Sequence, residues 1–188
     1  MSQHFNFVES PLKGLYRIDR NPMMDSRGFF SRIFCNNELK EIGFSQSVAQ
    51  INLTLTKQKG SIRGMHFQNP PSMEKKIVTC LKGEVLDIAV DIRKGSPTFL
   101  NWHSEILNSE NQSSFCIPNG FAHGFQALTS DCEILYIHST FYSPSHEGAL
   151  NPFDPMLKIN WPLDVTEMSE RDRNHAMLDE KFRGIEVL

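Results

Sequence analysis

The chain has 188 residues, 39% of them hydrophobic, and a formal net charge of −3, which together indicate a globular protein. This length favours one domain that spans residues 1–188. A general nucleic-acid binder needs a basic excess, so the charge excludes that class. No apolar run approaches the roughly 20 residues that cross a membrane, and the N-terminus lacks the pattern of a secretory signal. We therefore expect a cytoplasmic protein that binds neither membranes nor nucleic acid.

The four cysteines, Cys35, Cys80, Cys116 and Cys132, are widely separated along the chain. A zinc knuckle or a redox pair requires closely spaced thiols, so the spacing supports neither. Cysteine is among the residue types most often buried, which predicts reduced thiols that lie mostly in the core.

The first predicted element is a short helix at 36–42, with Asn36 or Asn37 as its cap and Gly43 as its end. Apolar stretches of strand length then alternate with turns rich in glycine, proline and asparagine. The predicted strands cover 47–54, 61–67, 75–81, 84–93, 102–107, 113–117, 125–128 and 133–141. Many short strands at this spacing predict an all-β sandwich or barrel, with its core at about residues 47–142.

The segment 84–93 has the period of two that a strand requires. Its even positions from 86 to 92 are apolar, whereas Asp87, Asp91 and Arg93 share the other face. One face therefore belongs to the core, and the other meets solvent or a second sheet. After residue 151 the prolines predict an irregular segment that wraps the barrel, with a second short helix at 169–173.

The richest group of chemically active side chains lies in residues 60–71. Arg63 and His66 stand three positions apart on one strand, so alternation puts them on opposite sides unless Gly64 allows a bulge. A single histidine in a strand is more often structural than catalytic. His66 is therefore a candidate base only in combination with other residues.

Two further candidates follow in the next strands. Lys75 and Lys76 are adjacent, so one of them points into the interior or a cleft, unless the strand is an edge and both reach solvent. His123 lies in a glycine-flanked turn, where the backbone can approach a ligand closely. A turn histidine without a function fits that pattern equally well.

Tyr136 and His138 share one face of the last predicted strand. Asp172 is a carboxylate that a folded-back tail could bring to a histidine, or it could cap a helix at the surface. A metal site of the His-x-His type is not supported, since no second imidazole stands two positions from His66. We therefore expect no metal.

Together these segments resemble those of the deoxythymidine-diphosphate (dTDP)-4-dehydrorhamnose 3,5-epimerases, which are cupin-like jelly-roll barrels. The matching segments occur in unbroken order from about residue 15 to residue 172. They include DSRGFF at 25–30, QIN at 50–52, RGMHFQ at 63–68, KIV at 76–78, PNGFAHGF at 118–125, LY at 135–136, YSP at 142–144 and SERD at 169–172. Each motif alone is weak, but the ordered set is strong.

The resemblance implies a reaction on a nucleotide-linked 4-keto-6-deoxyhexose, without a metal or a redox cofactor. A base removes the acidic proton at C3 or C5, and reprotonation from the opposite face inverts the centre. By this resemblance His66 is the base and Asp172 orients it. Lys76 stabilises the enolate oxygen, and Tyr136 is the acid on the far face.

The resemblance also implies a set of substrate-binding residues and a homodimer. Arg63 and His123 correspond to residues that hold the sugar and the pyrophosphate. Tyr142 corresponds to an aromatic residue that stacks on the base and reaches a neighbouring subunit's site. Other residues implied to line the nucleotide-sugar site are Arg27, Arg32, Gln50, Asn52, Glu147 and Arg171.

The sequence thus favours an epimerase that inverts C3 and C5, of the type that converts dTDP-4-dehydro-6-deoxyglucose to dTDP-4-dehydrorhamnose. Arg32, Ile51 and His138 depart from the residues common in the family, and the first two lie near the nucleotide end of the site. The alternatives are a C3-only epimerase or a 3,4-ketoisomerase on a related nucleotide sugar. From a different class, a non-catalytic sugar-binding barrel is the remaining alternative.

Overall fold

The computed structural model describes residues 4–187, which form thirteen β-strands, two short α-helices and one 3-10 helix. The strands are β1 Phe5–Glu9, β2 Tyr16–Arg20, β3 Met23–Asp25, β4 Gly28–Phe30, β5 Gln50–Thr56, β6 Ile62–Gln68, β7 Lys76–Lys82, β8 Glu84–Asp91, β9 Trp102–Asn108, β10 Ser113–Ile117, β11 Phe121–Ala127, β12 Cys132–His138 and β13 Glu147–Ala149. The helices are α1 Asn36–Leu39 and α2 Glu170–Arg173, and the 3-10 helix is Lys40–Ile42. This content confirms the predicted all-β class.

Two antiparallel sheets form the body of the fold. The larger sheet has the strand order β1-β2-β10-β7-β12-β5, and the smaller has the order β13-β6-β11-β8-β9. Consecutive strands often change sheet: β7 and β8 are joined by a turn at Gly83, yet they belong to different sheets. Such connections are typical of a jelly roll. Strands β3 and β4 form a separate hairpin.

The main hydrophobic core lies between the two sheets. Val78 and Phe115 extend from the larger sheet, and Val85 and Phe125 extend from the smaller one, all fully buried. Burying a side chain of this size stabilises the fold by roughly 1.5–3 kcal/mol. This packing fixes the two sheets relative to each other, and with them the polar side chains on their inner faces.

Both sheets are also covered on their outer faces. Leu39 of α1 packs against Ile77 on the outside of the larger sheet. Trp161, from the segment after residue 150, packs in the cluster that contains Val90 on the outside of the smaller sheet. Strand β8 is therefore buried on both faces, and its face with Asp87 meets the second sheet rather than solvent.

Several element boundaries differ from the sequence prediction. The barrel core was predicted to begin near residue 47, but β1 and β2 add two earlier strands to the larger sheet. In β2, Tyr16 and Ile18 alternate with polar residues and pack in one hydrophobic cluster, so the prediction overlooked a short strand signal of only five residues. Strand β11 begins at Phe121 instead of 125, because its polar residues His123 and Gln126 are buried as fully as its apolar ones.

Local details correct one prediction and confirm another. The residue that caps α1 is Cys35, without a side-chain hydrogen bond, rather than Asn36 or Asn37. All four cysteines are unpaired, and three of them are buried. Burial raises the pKa of the Cys80 and Cys116 thiols to about 12, so both stay protonated near neutral pH. Within residues 4–187, no helix has the length and apolar character to cross a membrane.

Candidate active site

A cavity of about 650 Å³ opens between the two sheets. Strands β5, β6, β7, β11 and β12 line it, together with α2 and the residues just before that helix. The predicted site residues that line it are Asn52, Arg63, His66, Lys76, His123, Tyr136, Tyr142, Glu147, Arg171 and Asp172. The fold therefore gathers in one cavity residues from most of the motifs that carried the family resemblance.

A bulge in β6 turns both Arg63 and His66 toward the cavity. His66 pairs with His123 of β11, and Arg63 pairs with Phe125. The two positions are three residues apart on β6 but only two residues apart on β11, so β6 contains one extra residue here. Gly64 lies in this bulge with a φ of +137°, and a Cβ there would come within 2.5 Å of the β11 backbone. Strict alternation, which predicts opposite sides for Arg63 and His66, therefore fails at a position that only glycine fits.

His66 and Asp172 form a hydrogen-bonded pair on the wall made by the smaller sheet and α2. The distance from His66 Nε2 to Asp172 Oδ1 is 2.7 Å. Ser169 caps α2 by accepting a hydrogen bond from the Asp172 N–H at 3.0 Å, which directs the carboxylate inward. The side chain of Asp172 is only 4% exposed, so this residue is not a surface cap.

The environment of Asp172 keeps its carboxyl group ionised. Burial alone would raise the pKa of Asp172, but interactions with His66 and the Gly64 N–H outweigh it, and the pKa is lowered. An ionised carboxylate at this distance orients the imidazole by accepting the Nε2 proton. Within the described part of the chain, the polar contacts of the His66 ring are made by Nε2, which leaves Nδ1 to accept a proton.

The larger sheet contributes a buried network of charged groups at the other side of the cavity. Lys76 Nζ lies 2.7 Å from Glu74 Oε1, and His138 Nδ1 lies 2.8 Å from Glu74 Oε2. Burial would raise the pKa of Glu74, but the charge of Lys76 and the hydrogen bond from His138 lower it to about 2. Lys75 instead extends to the Gly43 carbonyl, so Lys76 is the lysine of the pair that enters the cavity.

His123 and Tyr136 complete the interior of the cavity. His123 Nε2 lies 2.9 Å from Asp87 Oδ1, and both side chains are almost fully buried. The Tyr136 ring meets the His123 ring edge to face, at 6.2 Å, and stacks on the His138 ring at 5.9 Å. Burial, and after it the charge of Asp87, raises the pKa of Tyr136, so its phenol keeps its proton and can donate it.

The mouth of the cavity carries polar residues that bond to one another. Glu147 Oε2 accepts hydrogen bonds from the Tyr142 hydroxyl at 2.9 Å and from Arg171 Nη1 at 3.0 Å. Gln50 lies outside the cavity lining, but its Oε1 accepts the Tyr142 backbone N–H at 2.9 Å. Asn52 lines the cavity with its Nδ2 3.5 Å from His138 Nε2. Tyr142 thus belongs to the mouth of its own chain's cavity.

Two predicted site residues lie away from the cavity of this chain. Arg27 is on the exposed β3–β4 hairpin and pairs with Asp25 at 2.6 Å. Arg32 Nη1 lies 2.6 Å from Glu38 of α1. The sequence prediction that both line the site is therefore not met within one chain, because the hairpin and α1 pack elsewhere.

Two residues of the site were not predicted from the sequence. Glu74 stands two positions before Lys76, and residues two apart on an extended segment face the same side, so this spacing could have indicated the pair. Asp87 was recognised only as a polar residue on the second face of its strand. Its partner His123 is 36 residues away in sequence, so no local sequence pattern indicates their contact.

The only group in the described residues with spacing suited to a metal ion comprises His66, Asp172 and His175, whose ligand atoms lie within 4.8 Å of one another. No sequence pattern indicates this group, because His66 and Asp172 are 106 positions apart. These two residues already contact each other directly at 2.7 Å, as an acid–base pair does. That the reaction needs no metal stays a prediction.

These features define a jelly-roll protein of the cupin type, with a polar cavity between its sheets. The family model for dTDP-4-dehydrorhamnose 3,5-epimerase matches residues 9–180. The epimerase of that name from Methanothermobacter thermautotrophicus is 36% identical over 179 residues, which cover 94% of this chain and 96% of that protein. The chain therefore belongs to the dTDP-4-dehydrorhamnose 3,5-epimerase family, whose members are isomerases.

Solved structures support the same assignment. A dTDP-6-deoxy-D-glucose-3,5-epimerase from Legionella pneumophila, in complex with dTDP-4-keto-L-rhamnose, has a TM-score of 0.90 and 35% identity, covering 98% of this chain and 100% of that one. A 3'-monoepimerase from Streptomyces bikiniensis, in complex with dTDP-quinovose, has a TM-score of 0.83 and 31% identity, covering 89% and 85%. The fold therefore also occurs in an enzyme whose name refers to epimerisation at a single carbon, C3'.

Proposed function

We propose that this protein inverts C3 and C5 of a dTDP-linked 4-keto-6-deoxyhexose bound in this cavity, with His66 as the general base. The observation that carries the proposal is the buried Asp172 carboxylate 2.7 Å from His66 Nε2, inside a cavity of about 650 Å³. A base held by a carboxylate in this way suits proton abstraction beside a ketone. A sugar-binding barrel without catalytic activity has no need of such a pair.

The two walls of the cavity suit the removal and return of a proton on opposite faces of the sugar. His66 belongs to the smaller sheet, and Tyr136 belongs to the larger one. After His66 takes the proton from C3 or C5, the negative charge moves to the C4 oxygen, where the Lys76 ammonium stabilises it. The Tyr136 phenol then protonates the carbon from the other side, which inverts the centre.

The polar residues at the mouth suit the nucleotide part of the substrate. Arg63, Asn52 and Arg171 supply hydrogen-bond donors, and Tyr142 supplies an aromatic surface for a base. Arg63 remains accessible, with its Nε hydrogen-bonded to Thr56 at 2.9 Å. These groups account for recognition of a nucleoside diphosphate sugar.

We also propose that the enzyme works as a homodimer in which the β3–β4 hairpin of one subunit serves the other subunit's cavity. Arg27 resembles a site residue but lies outside its own cavity. The hairpin exposes Met24, Phe29 and Phe30, and the edge strand β5 exposes Ile51, Leu53 and Leu55. Exposed apolar surface of this kind marks an interaction site.

Mixing two inactive variants tests the dimer. We expect Arg27→Ala and His66→Ala subunits to gain activity on exchange, because one site of each heterodimer then holds both an intact His66 and an intact Arg27. A mixture that stays inactive, with exchange verified by mass spectrometry, contradicts the shared site. The same mixture with Tyr142→Ala in place of Arg27→Ala tests whether Tyr142 serves its own cavity or its neighbour's.

Incubation with dTDP-4-keto-6-deoxyglucose in deuterated water tests the reaction. We expect NMR to show deuterium at both C3 and C5, together with the inverted product. Label at C3 alone would identify a C3-only epimerase, and a carbonyl moved to C3 would identify a 3,4-ketoisomerase.

A second test addresses the expected absence of a metal. We expect dialysis against EDTA to leave the rate unchanged. A loss of activity that a divalent metal restores would contradict the absence of a cofactor. The cytoplasmic location stays a prediction.

A further inference from the structure

The cavity contains a buried ion pair whose acidic member, Glu74, takes no part in the proposed proton transfers. Lys76 and Glu74 are 7% and 9% exposed at their side chains, with 2.7 Å between Nζ and Oε1. A buried ammonium is costly unless it has a partner of opposite charge. Among residues 4–187, Glu74 is the carboxylate within ion-pair distance of Lys76, since Asp87 bonds to His123 instead.

The second oxygen of Glu74 is held by His138. His138 Nδ1 lies 2.8 Å from Glu74 Oε2, so each carboxylate oxygen has its own partner. In the sheet His138 is the cross-strand neighbour of Lys76, which fixes the spacing of the two residues that Glu74 bridges. A carboxylate bonded at both oxygens cannot rotate freely, and it therefore holds the ammonium in one place.

The same histidine contacts the proposed proton donor. The His138 ring stacks on Tyr136 with 5.9 Å between ring centres and 19° between planes. Asn52 also lines the cavity, and its Nδ2 lies 3.5 Å from His138 Nε2. One continuous set of contacts therefore joins Lys76, Glu74, His138 and Tyr136.

We propose that Glu74 and His138 are positioning residues for this reaction: Glu74 holds the Lys76 ammonium where the enolate oxygen forms, and His138 holds Glu74 in place. This inference rests on the proposed function, because it needs Lys76 to meet that oxygen. An ammonium has three N–H donors, so the bond to Glu74 leaves donors for the substrate. A fixed cation lowers the barrier without reorganising as charge develops, which affects kcat rather than substrate binding.

Glu74→Gln removes the charge and keeps the shape of the side chain. We expect kcat to fall roughly 10- to 100-fold with little change in KM, since one preorganised group is weakened.

His138 allows a test that leaves the ion pair intact. We expect His138→Val to lower kcat roughly tenfold, and His138→Asn to recover most of that loss, because the asparagine amide can still donate to Glu74 Oε2. The matched control is His103→Val, since His103 also bonds a glutamate, Glu105, at 2.9 Å but lies outside the cavity. The control should keep the wild-type kcat and KM.

The outcomes separate this inference from the proposed function. A wild-type enzyme that incorporates no deuterium at C3 or C5 refutes the proposed function itself. If the wild type is active but Glu74→Gln keeps the wild-type kcat, the positioning role alone is refuted. A His138→Asn variant no better than His138→Val refutes it as well. Should Glu74→Gln fail to fold, judged by circular dichroism, the comparison of the two His138 variants decides.

Discussion

His66 and His103 are alike as isolated residues and differ only in their surroundings. Their side chains are 30% and 29% exposed, and each bonds a carboxylate, at 2.7 and 2.9 Å. His66 faces a cavity with other polar groups, whereas His103 lies on β9 outside it. The chemistry of each histidine therefore depends on the cavity around it as well as on its carboxylate partner.

We expect His66→Ala to abolish epimerisation while the protein stays folded. Loss of a positioned general base costs roughly 10²–10⁴ in rate. The measurement is deuterium incorporation at C3 and C5, with circular dichroism to verify the fold. His103→Ala is the control and should react normally. Wild-type exchange in His66→Ala would refute the assignment of the base.

We expect Tyr136→Phe to separate exchange from inversion. The phenylalanine keeps the ring contacts with His123 and His138 but has no proton to donate. His66 can still remove and return a proton on one face, so label should enter while inverted product falls sharply. Tyr16→Phe, on β2 outside the cavity, should change neither. An equal loss of exchange and inversion would mean that Tyr136 positions the substrate instead.

At the scale of elements, the β6 bulge decides which side chains reach the cavity. The bulge depends on the close approach of β6 to β11 at Gly64 and on the positive φ there. Gly95 also has a positive φ, +74°, but a Cβ added there would meet no atom within 4 Å. The Gly95→Ala variant therefore measures the cost of a positive φ without a steric clash. The two glycines therefore differ in packing, although both have a positive φ.

We expect Gly64→Ala to lose at least twice as much unfolding free energy as Gly95→Ala, for which about 1–2 kcal/mol is the ordinary conformational cost. The added methyl group would also displace Arg63 and His66, so activity should fall with stability. Urea denaturation and the exchange assay measure the two effects. Equal stability losses would show that contact with β11 does not determine the bulge.

At the scale of the whole molecule, buried carboxylates make stability depend on pH. Asp91 is fully buried, and its oxygens accept hydrogen bonds from Arg93, Ser96 and Thr98. Burial would raise the pKa of Asp91, but these hydrogen bonds outweigh it and lower the pKa below the usual 3.8. A lowered pKa in the folded state contributes stability above the unfolded-state value, and that stability is lost as pH falls through the folded-state value.

We expect the free energy of unfolding to decrease as pH falls below about 4, with Asp91 contributing part of the slope. Asp91→Asn should be less stable by roughly 1–3 kcal/mol at pH 7 and should show a shallower decrease under acid. Urea denaturation at fixed protein concentration measures both. Asp131→Asn, on an exposed turn, is the control and should change stability by less than about 0.5 kcal/mol. A parallel slope in wild type and Asp91→Asn would contradict the role of Asp91.

Local sequence patterns are sufficient to predict the all-β class and that Lys75 and Lys76 lie on opposite sides of their strand. Both depend on alternation, because neighbouring side chains of a strand point in opposite directions. The ordered motifs likewise identify the family, and ten of the thirteen predicted site residues line the cavity. Strands β1 and β2 also alternate, but each is only five residues long, and the prediction did not include them.

Which distant residues meet depends on the packing of the folded chain. His66 and Asp172 are 106 positions apart, and their contact requires α2 to fold back onto β6. The turn of Arg63 and His66 to the same side depends on β11, and the positions of Arg27 and Arg32 depend on where the hairpin and α1 pack. Side-chain direction along a strand is a local property of the backbone, whereas contacts between elements depend on how the sheets pack together.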